Sequence, residues 1–384
     1  MRLIDRNQAG DLLRFAELIV EEELCINLRG RRMHCTACGD GCPSGALNLT
    51  PDNVMLDAAL CTGCNSCLPR CPAGALRSTA FVPERFLRAL SVHGPTHLHC
   101  RVSEDGGGGI VIPCHGVLDA RLLAAARGEG VTELSLHGLN RCGECGHGDV
   151  RAYIGEVVAQ LADWLGMAAP SLDLDPPSGH GGDDIRQDYQ DQPHMDRRAF
   201  LRFGGAKGLT RAVEWLLPGL ATDEEDEEAL PFFQADDYPQ RVSPYQQALV
   251  ARARRVPWHA GRALPFSMRH VADSCSVCLS CGERCPTGAL RGDATAATRI
   301  LGFDPAACTD CGLCESLCPE QALLAEPLHD PAALEAGRTA LRSMEQRLCR
   351  QCGSPFPTTA QSDLCHLCRN EQELDEAWLD MLSG

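Results

Sequence analysis

Four short segments of this chain end alike: "CPSGAL" at 42–47, "CPAGAL" at 71–76, "CPTGAL" at 285–290 and "CPEQAL" at 318–323. Ahead of the last three, the cysteines fall as C-x2-C-x2-C-x3-C-P. The runs are Cys61, Cys64, Cys67 and Cys71; Cys275, Cys278, Cys281 and Cys285; and Cys308, Cys311, Cys314 and Cys318. In this spacing three thiolates on one tight loop hold three corners of a [4Fe-4S] cubane, and the fourth reaches across to a second cluster. The backbone N–H groups of such a loop point inward at the sulfides. The proline ends the loop, and the Ala-Leu after it begins an apolar segment over the cluster. A zinc site needs only four tetrahedral thiolates and would not require the cross-over.

The remaining composition supports a metal reading of the thiols. The chain has 24 cysteines in 384 residues. No basic start followed by an apolar core opens it, so reduced thiols in a cytoplasmic setting are expected rather than a disulfide framework. No stretch approaches 18 uncharged apolar residues, so no membrane span is expected. A net charge of −17 and an aromatic content of 5% argue against a nucleic-acid binder.

The two tandem runs resemble bacterial dicluster [4Fe-4S] ferredoxins, over about residues 25–80 and 268–328. The resemblance implies one C-terminal cluster on Cys275, Cys278, Cys281 and Cys318, and another on Cys308, Cys311, Cys314 and Cys285. In the N-terminal half it implies a complete set in Cys42, Cys61, Cys64 and Cys67. The fourth set has only Cys35, Cys38 and Cys71, because Arg32 stands where the first cysteine of that motif belongs. Cys25, ten residues before Cys35, is the candidate replacement. The alternatives are that Cys25 is a small core hydrophobe on a helix "QAGDLLRFAELIVEEELC" and that the site holds a three-iron cluster or none. His34, adjacent to Cys35, is poorly placed to reach the same iron. Arg32 is expected to favour the reduced state of that cluster.

Residues 109–170 alternate as a parallel α/β unit: a strand "GIVIP", a helix "VLDARLLAAARGEG", a strand "VTELSLHG" and a helix "VRAYIGEVVAQLADWLG". Sites in open parallel sheets form beyond the carboxyl ends of the strands, where Cys114, Cys142 and Cys145 fall, with Cys100 upstream. The stretches "IPCHGVLDARLL" and "GVTELSLHGLNRCGECGHG" resemble the small domain of the methyl-viologen-reducing hydrogenase delta-subunit family. That resemblance implies a further iron–sulfur cluster and electron transfer toward heterodisulfide-reductase-type flavoproteins. Cys142 and Cys145 stand closer together than the family's pair, and only Cys100 represents its early pair; a structural spacer with remnant or zinc-binding cysteines is the other reading.

Residues 171–245 read as linker: polar and Pro/Gly-rich at first, with the acidic run "TDEEDEEAL" later. Between these lies "MDRRAFLRFGGAKG", which resembles the twin-arginine export signal through Arg197, Arg198, Phe200 and Leu201. Its internal position, and Lys207, Arg211 and Glu214 in the stretch after it, favour a plain helix capped by Asp196 over export. At the C-terminus, Cys349, Cys352, Cys365 and Cys368 give C-x2-C-x12-C-x2-C, the pattern of two facing zinc knuckles, with rubredoxin-type iron as the rival. The closing "NEQELDEAWLDMLSG" is expected to be an amphipathic helix, with Leu374, Trp378 and Leu382 on one face.

The expected architecture is a mixed α+β and α/β multidomain chain. Its parts are an N-terminal dicluster module with a leading helix (1–90), a parallel α/β domain (91–170), the linker (171–245), a second dicluster module (246–335) and a zinc-ribbon-like segment (336–384). No dinucleotide or phosphate-binding motif appears; "DGGGGI" at 105–110 lacks the Lys-Ser/Thr of a P-loop. The expected function is therefore non-catalytic. It is a relay of three or four [4Fe-4S] clusters, possible further cluster and zinc, between a donor such as formate dehydrogenase, hydrogenase or ferredoxin and an acceptor reductase complex. The alternative is a maturation factor for a metalloenzyme that docks through the zinc segment.

Overall fold

The Ala-Leu pair that closes each of the four repeated segments begins a strand. The computed structural model describes residues 18–90, 96–103, 108–177, 187–188, 239–295, 297–357 and 363–383. In the N-terminal module β1 (Leu18–Val20) pairs antiparallel with β4 (Leu76–Ser78), and β2 (Leu47–Leu49) forms a hairpin with β3 (Val54–Leu56). Leu47 and Leu76, the first residues of β2 and β4, are buried. The leading helix is not found where it can be checked. Its first part, to residue 17, lies outside the described residues, and Leu18–Val20 is a strand. A short run rich in branched apolar residues suits a pleated surface, and β4 supplies the partner that sequence periodicity cannot see.

The central sheet holds β5 (Thr96–Cys100), β6 (Ile110–Ile112), β7 (Glu133–His137), β8 (Ser171–Asp173) and β9 (Gln187–Asp188). All pairings are parallel, in the order β8-β7-β5-β6-β9. Helices Ala120–Gly128 and Arg151–Leu165 follow β6 and β7. The first begins at Asp119, whose carboxylate accepts the Leu122 N–H at 2.8 Å and so satisfies one of the free donors of the first turn. It buries Leu122, Leu123 and Ala124 through Ala126. The stretch read as linker from 171 thus opens with an edge strand, tied by Ser171 N–H to the Thr132 carbonyl at 2.8 Å.

In the C-terminal module β10 (Ser267–Val271) pairs antiparallel with β13 (Leu323–Pro327). A four-stranded antiparallel sheet runs β11 (Leu290–Ala294), β12 (Thr298–Phe303), β14 (Thr339–Leu348), β15 (Pro355–Pro357). Because β14 pairs along β12, the segment from 336 is not a separate unit but an extension of the module's own sheet. A helix, His366–Ser383, ends the chain, with Leu374, Trp378 and Met381 exposed along it. Among the described residues no helix is long and apolar enough to cross a membrane.

Residues 239–266, divided above between linker and second module, pack on both halves of the chain: Gln246 Nε2 donates to the Cys308 carbonyl at 3.0 Å and the Leu264 N–H to the Leu328 carbonyl at 2.7 Å, while other contacts reach the first half. Helix Pro244–Val250 lies against helices Ala120–Gly128 and Pro83–Ala89. Tyr245, 2% exposed, donates its hydroxyl to the Val117 carbonyl at 2.9 Å. Arg252 pairs with Glu84 at 2.9 Å and Glu129 at 2.5 Å. The twin-arginine-like residues Arg197, Arg198, Phe200 and Leu201, with Asp196 and the acidic run, lie outside the described residues.

One guanidinium joins the two ferredoxin-like modules. Arg29, 1% exposed, donates Nε to the Glu23 carbonyl at 2.6 Å and Nη1 to the carbonyls of Arg284 at 3.2 Å and Cys285 at 3.0 Å. Its Nη2 donates to the Pro239 carbonyl. Arg284 answers by donating to the Arg29 carbonyl at 2.5 Å. Leaving a buried carbonyl without a donor costs about 1–3 kcal/mol. Arg29→Met is therefore expected to cost several kcal/mol, visible as an apparent melting temperature lower by at least about 5 °C. An unchanged melting temperature would mean that this junction contributes little.

Candidate metal centres

The repeated sequence has a conformational basis. In "CPSGAL", "CPAGAL", "CPTGAL" and "CPEQAL" the fourth residue takes a left-handed conformation: φ is 66° at Gly45, 66° at Gly74, 70° at Gly288 and 49° at Gln321. That turn brings the following alanine N–H onto the cysteine sulfur. Ala46 donates to Cys42 and Ala75 to Cys71, each at 3.3 Å, and Ala322 to Cys318 at 3.2 Å. The three intact loops share two further left-handed positions, Gly63 and Asn65, Val277 and Leu279, Asp310 and Gly312. Such reversals turn successive N–H groups toward one point and form a concave anion site.

The cross-over of the fourth cysteine is visible in the C-terminal module. Cys275, Cys278, Cys281 and Cys318 line one pocket, and Cys285, Cys308, Cys311 and Cys314 line another. Burial, and then the surrounding thiols, push Cys281 up to about 12, and Cys311 likewise to about 12. Four thiols this close resist ionising together unless a cationic core stands among them. The donor set therefore fits an iron–sulfur cubane.

In the N-terminal module the same signature draws two sets. Burial pushes Cys67 up, with Cys64, Cys38, Cys42 and Cys61 adding to it. Cys42 is held below the usual thiol value: burial raises it, but bonds from Ser44 and the N–H groups of Ala46, Ser44 and Leu47 outweigh that. In the incomplete set, Cys38 is pushed up to about 12 by burial and then by Cys71, Cys35 and Cys25. Cys25 also raises Cys35 and Cys71.

The degenerate loop follows a different backbone path. Neither His34 nor Thr36, the positions equivalent to the left-handed pair, is left-handed; Thr36 has φ −118°. Instead Cys25 begins a short helix, Ile26–Gly30, that ends at Arg31 with φ 50°. Asn27, 1% exposed, clasps the returning chain: its Oδ1 accepts from His34 N–H at 2.8 Å and Cys35 N–H at 2.9 Å, and its Nδ2 donates to the Cys35 carbonyl at 2.8 Å. Nothing in the cysteine spacing points to Asn27; an asparagine two residues after an unpaired cysteine is the only clue. Arg32 is exposed.

In the central domain Cys100, Cys114, Cys142 and Cys145 line one pocket at the carboxyl ends of β5, β6 and β7. His115 and His147 line it too, each with a buried Nδ1 that has no hydrogen-bond partner among the described residues. Burial pushes His115 down to about 4, and its Nε2 meets the His137 carbonyl at 2.9 Å, so the ring is neutral with Nε2 as donor. The Cys114 thiol feels both Cys64 of the N-terminal module and Cys100.

The C-terminal group differs in spacing. The donor sulfurs of Cys349, Cys352, Cys365 and Cys368 all lie within 4.8 Å of one another, the single such group among the described residues. That spacing suits one ion, whereas the other sets are spread more widely, as a multi-iron core between the sulfurs requires. Cys349 follows β14, with its N–H on the Ser354 carbonyl at 2.9 Å and Gly353 at φ 71° closing the knuckle. The second pair opens the helix His366–Ser383 instead of a second knuckle. Bonds from the Cys352 and Cys365 N–H groups hold Cys349 down at about 6.

Comparison with known families agrees with two of the motifs. Family models described as "4Fe-4S binding domain" match residues 54–77 and 300–323. The chain carries two 4Fe-4S ferredoxin-type domains. The matched windows contain Cys61, Cys64, Cys67 and Cys71, and Cys308, Cys311, Cys314 and Cys318. They support an iron–sulfur electron-transfer role. No curated protein matches the chain in sequence.

Proposed function

We propose that this chain is an electron relay in which five iron–sulfur centres stand in series, with a structural zinc at the C-terminus. The observation that carries this reading is that each cysteine set adjoins the next, three times through a cysteine of each set and once through the Arg29–Gly30 segment. Cys114 of the central set is a neighbour of Cys64. Cys67 of the second set is a neighbour of Cys38 in the third. Arg29, four residues from Cys25, holds the carbonyl of Cys285 in the fourth set, and Gly30 lies against Leu313 of the same loop. Cys314 of the fourth set is a neighbour of Cys281 in the fifth.

Bound clusters supply one-electron carriers whose potentials depend on hydrogen bonds to sulfur, net charge and solvent exposure. The chain's own contribution is to hold these sets in order and to shield all but the last of them, the central set included through the buried Cys100, Cys114 and Cys142. Cys64, Cys67, Cys71, Cys285 and Cys308 are buried, whereas Cys278 in the last set is exposed. Electrons therefore enter or leave at the Cys278 end, and the central domain forms the other terminus. The donor and acceptor in this reading are redox proteins of the formate dehydrogenase, hydrogenase or heterodisulfide-reductase type, in the cytoplasm.

Anaerobic purification with iron, sulfide and zinc analysis and EPR of the dithionite-reduced protein tests this. About 16 irons from four cubanes are expected, plus those of the central centre and one zinc. A protein whose clusters cannot be reduced at an accessible potential would overturn the relay.

A further inference from the structure

Charged side chains are rarely buried without compensation, and Arg269 on β10 is 1% exposed. It lines the same pocket as Cys285, Cys308, Cys311 and Cys314. Its Nη2 pairs with Asp310 at 2.5 Å and Glu315 at 3.3 Å. Its Nε and Nη1 are buried and have no hydrogen-bond partner among the described residues. Two unused N–H groups on a buried cation are costly to leave so, and an acceptor beside them would offset that cost.

The acceptor is close by. The guanidinium acts on both Cys308 and Cys314, drawing each thiol down against the burial that raises it. The two carboxylates only partly cancel its charge, because Asp310 is 57% and Glu315 43% exposed, so water screens them, while the guanidinium is shielded from solvent.

We infer that Arg269 raises the reduction potential of the centre held by Cys285, Cys308, Cys311 and Cys314, with the N–H groups at Nε and Nη1 available to its sulfur. This rests on the reading that these four thiolates bind a cubane. Reduction adds one electron and one negative charge to the centre; a fixed buried cation and N–H donors to sulfur both favour that state. Arg269 is thus a positioning residue for charge, and it makes this centre a place where electrons rest within the relay. The partner module's buried arginine, Arg29, donates to main-chain carbonyls instead.

The test is an EPR-monitored redox titration of the full chain, with iron and sulfide counted for each variant. In Arg269→Met the midpoint of one centre falls by at least tenfold in reduction equilibrium, about 59 mV for a one-electron couple, and the others stay. Arg269→Lys, which keeps the charge but not the planar pair of donors, lies between. Should Arg269→Met lose iron, Asp310→Asn decides. That exposed carboxylate opposes the cation, so its neutralisation raises the same midpoint. Full iron content with unmoved midpoints in Arg269→Lys and Asp310→Asn overturns the inference. Cys311→Ser identifies the signal of this centre; if it removes no iron and no signal, the cubane reading itself fails.

Discussion

Serine in place of Cys25 is expected to remove about four irons and four sulfides per chain and to leave the signals of the other centres standing. The reason lies in the path of residues 25–35. Cys25 precedes a one-turn helix, Arg31 reverses the chain, and Asn27 fastens His34 and Cys35 by three hydrogen bonds of 2.8–2.9 Å. The sulfur of Cys25 is thereby brought among those of Cys35, Cys38 and Cys71. A hydroxyl is a shorter and harder ligand than a thiolate and is poorly matched to iron–sulfur chemistry. The measurement is iron and sulfide per chain alongside EPR. Unchanged iron in Cys25→Ser would make Cys25 a packing residue and leave that site with three thiolates.

Cys365→Ser is expected to release one zinc per chain and to unfold residues 349–383 while the cubane modules stay folded. The core of this segment consists of Cys349, Phe356, Cys365 and Cys368, with Leu364 packed against them. Three of its four buried residues are the cysteines that would hold the ion, so no separate apolar core is left without it. Structural zinc contributes about 10–16 kcal/mol of apparent binding free energy, which in so small a segment is its folding free energy. Zinc per chain and proteolytic protection of the C-terminal residues report the outcome. Protection that survives in a zinc-free protein would show that β14 alone holds the segment.

How much of this was legible in the sequence follows from what spacing encodes. The C-x2-C-x2-C-x3-C-P runs fix which thiols share a loop, and the pockets of the C-terminal module have those thiols on their walls. The helix after β7 was visible in apolar periodicity because it buries one face, Ile154, Val157, Leu161 and Leu165, whereas the helix after β6, buried at every position from Leu122 to Ala126, was visible as an apolar run. The left-handed positions were visible only where glycine fills them. Val277 at φ 49° contradicts the habit of a β-branched residue, and the loop imposes it. Leu18–Val20 read as helix because their partner, Leu76–Ser78, lies over fifty residues away. The burial of Arg29, Arg252 and Arg269 had no sequence signal, since nothing local says that a charge will be buried. The contacts of residues 239–266 with the first half were hidden for the same reason: Tyr245 and Arg252 find their partners at Val117, Glu84 and Glu129.

The uneven burial of the thiols also orders chemical damage. Oxidants attack exposed sulfur first, and Cys278 is the exposed member of the cubane sets. In the proposed relay the centre at Cys278 is therefore expected to be the first lost in air, which would cut the chain off at that end before the inner centres are touched. A protein so damaged would still contain most of its iron and its colour and yet conduct nothing.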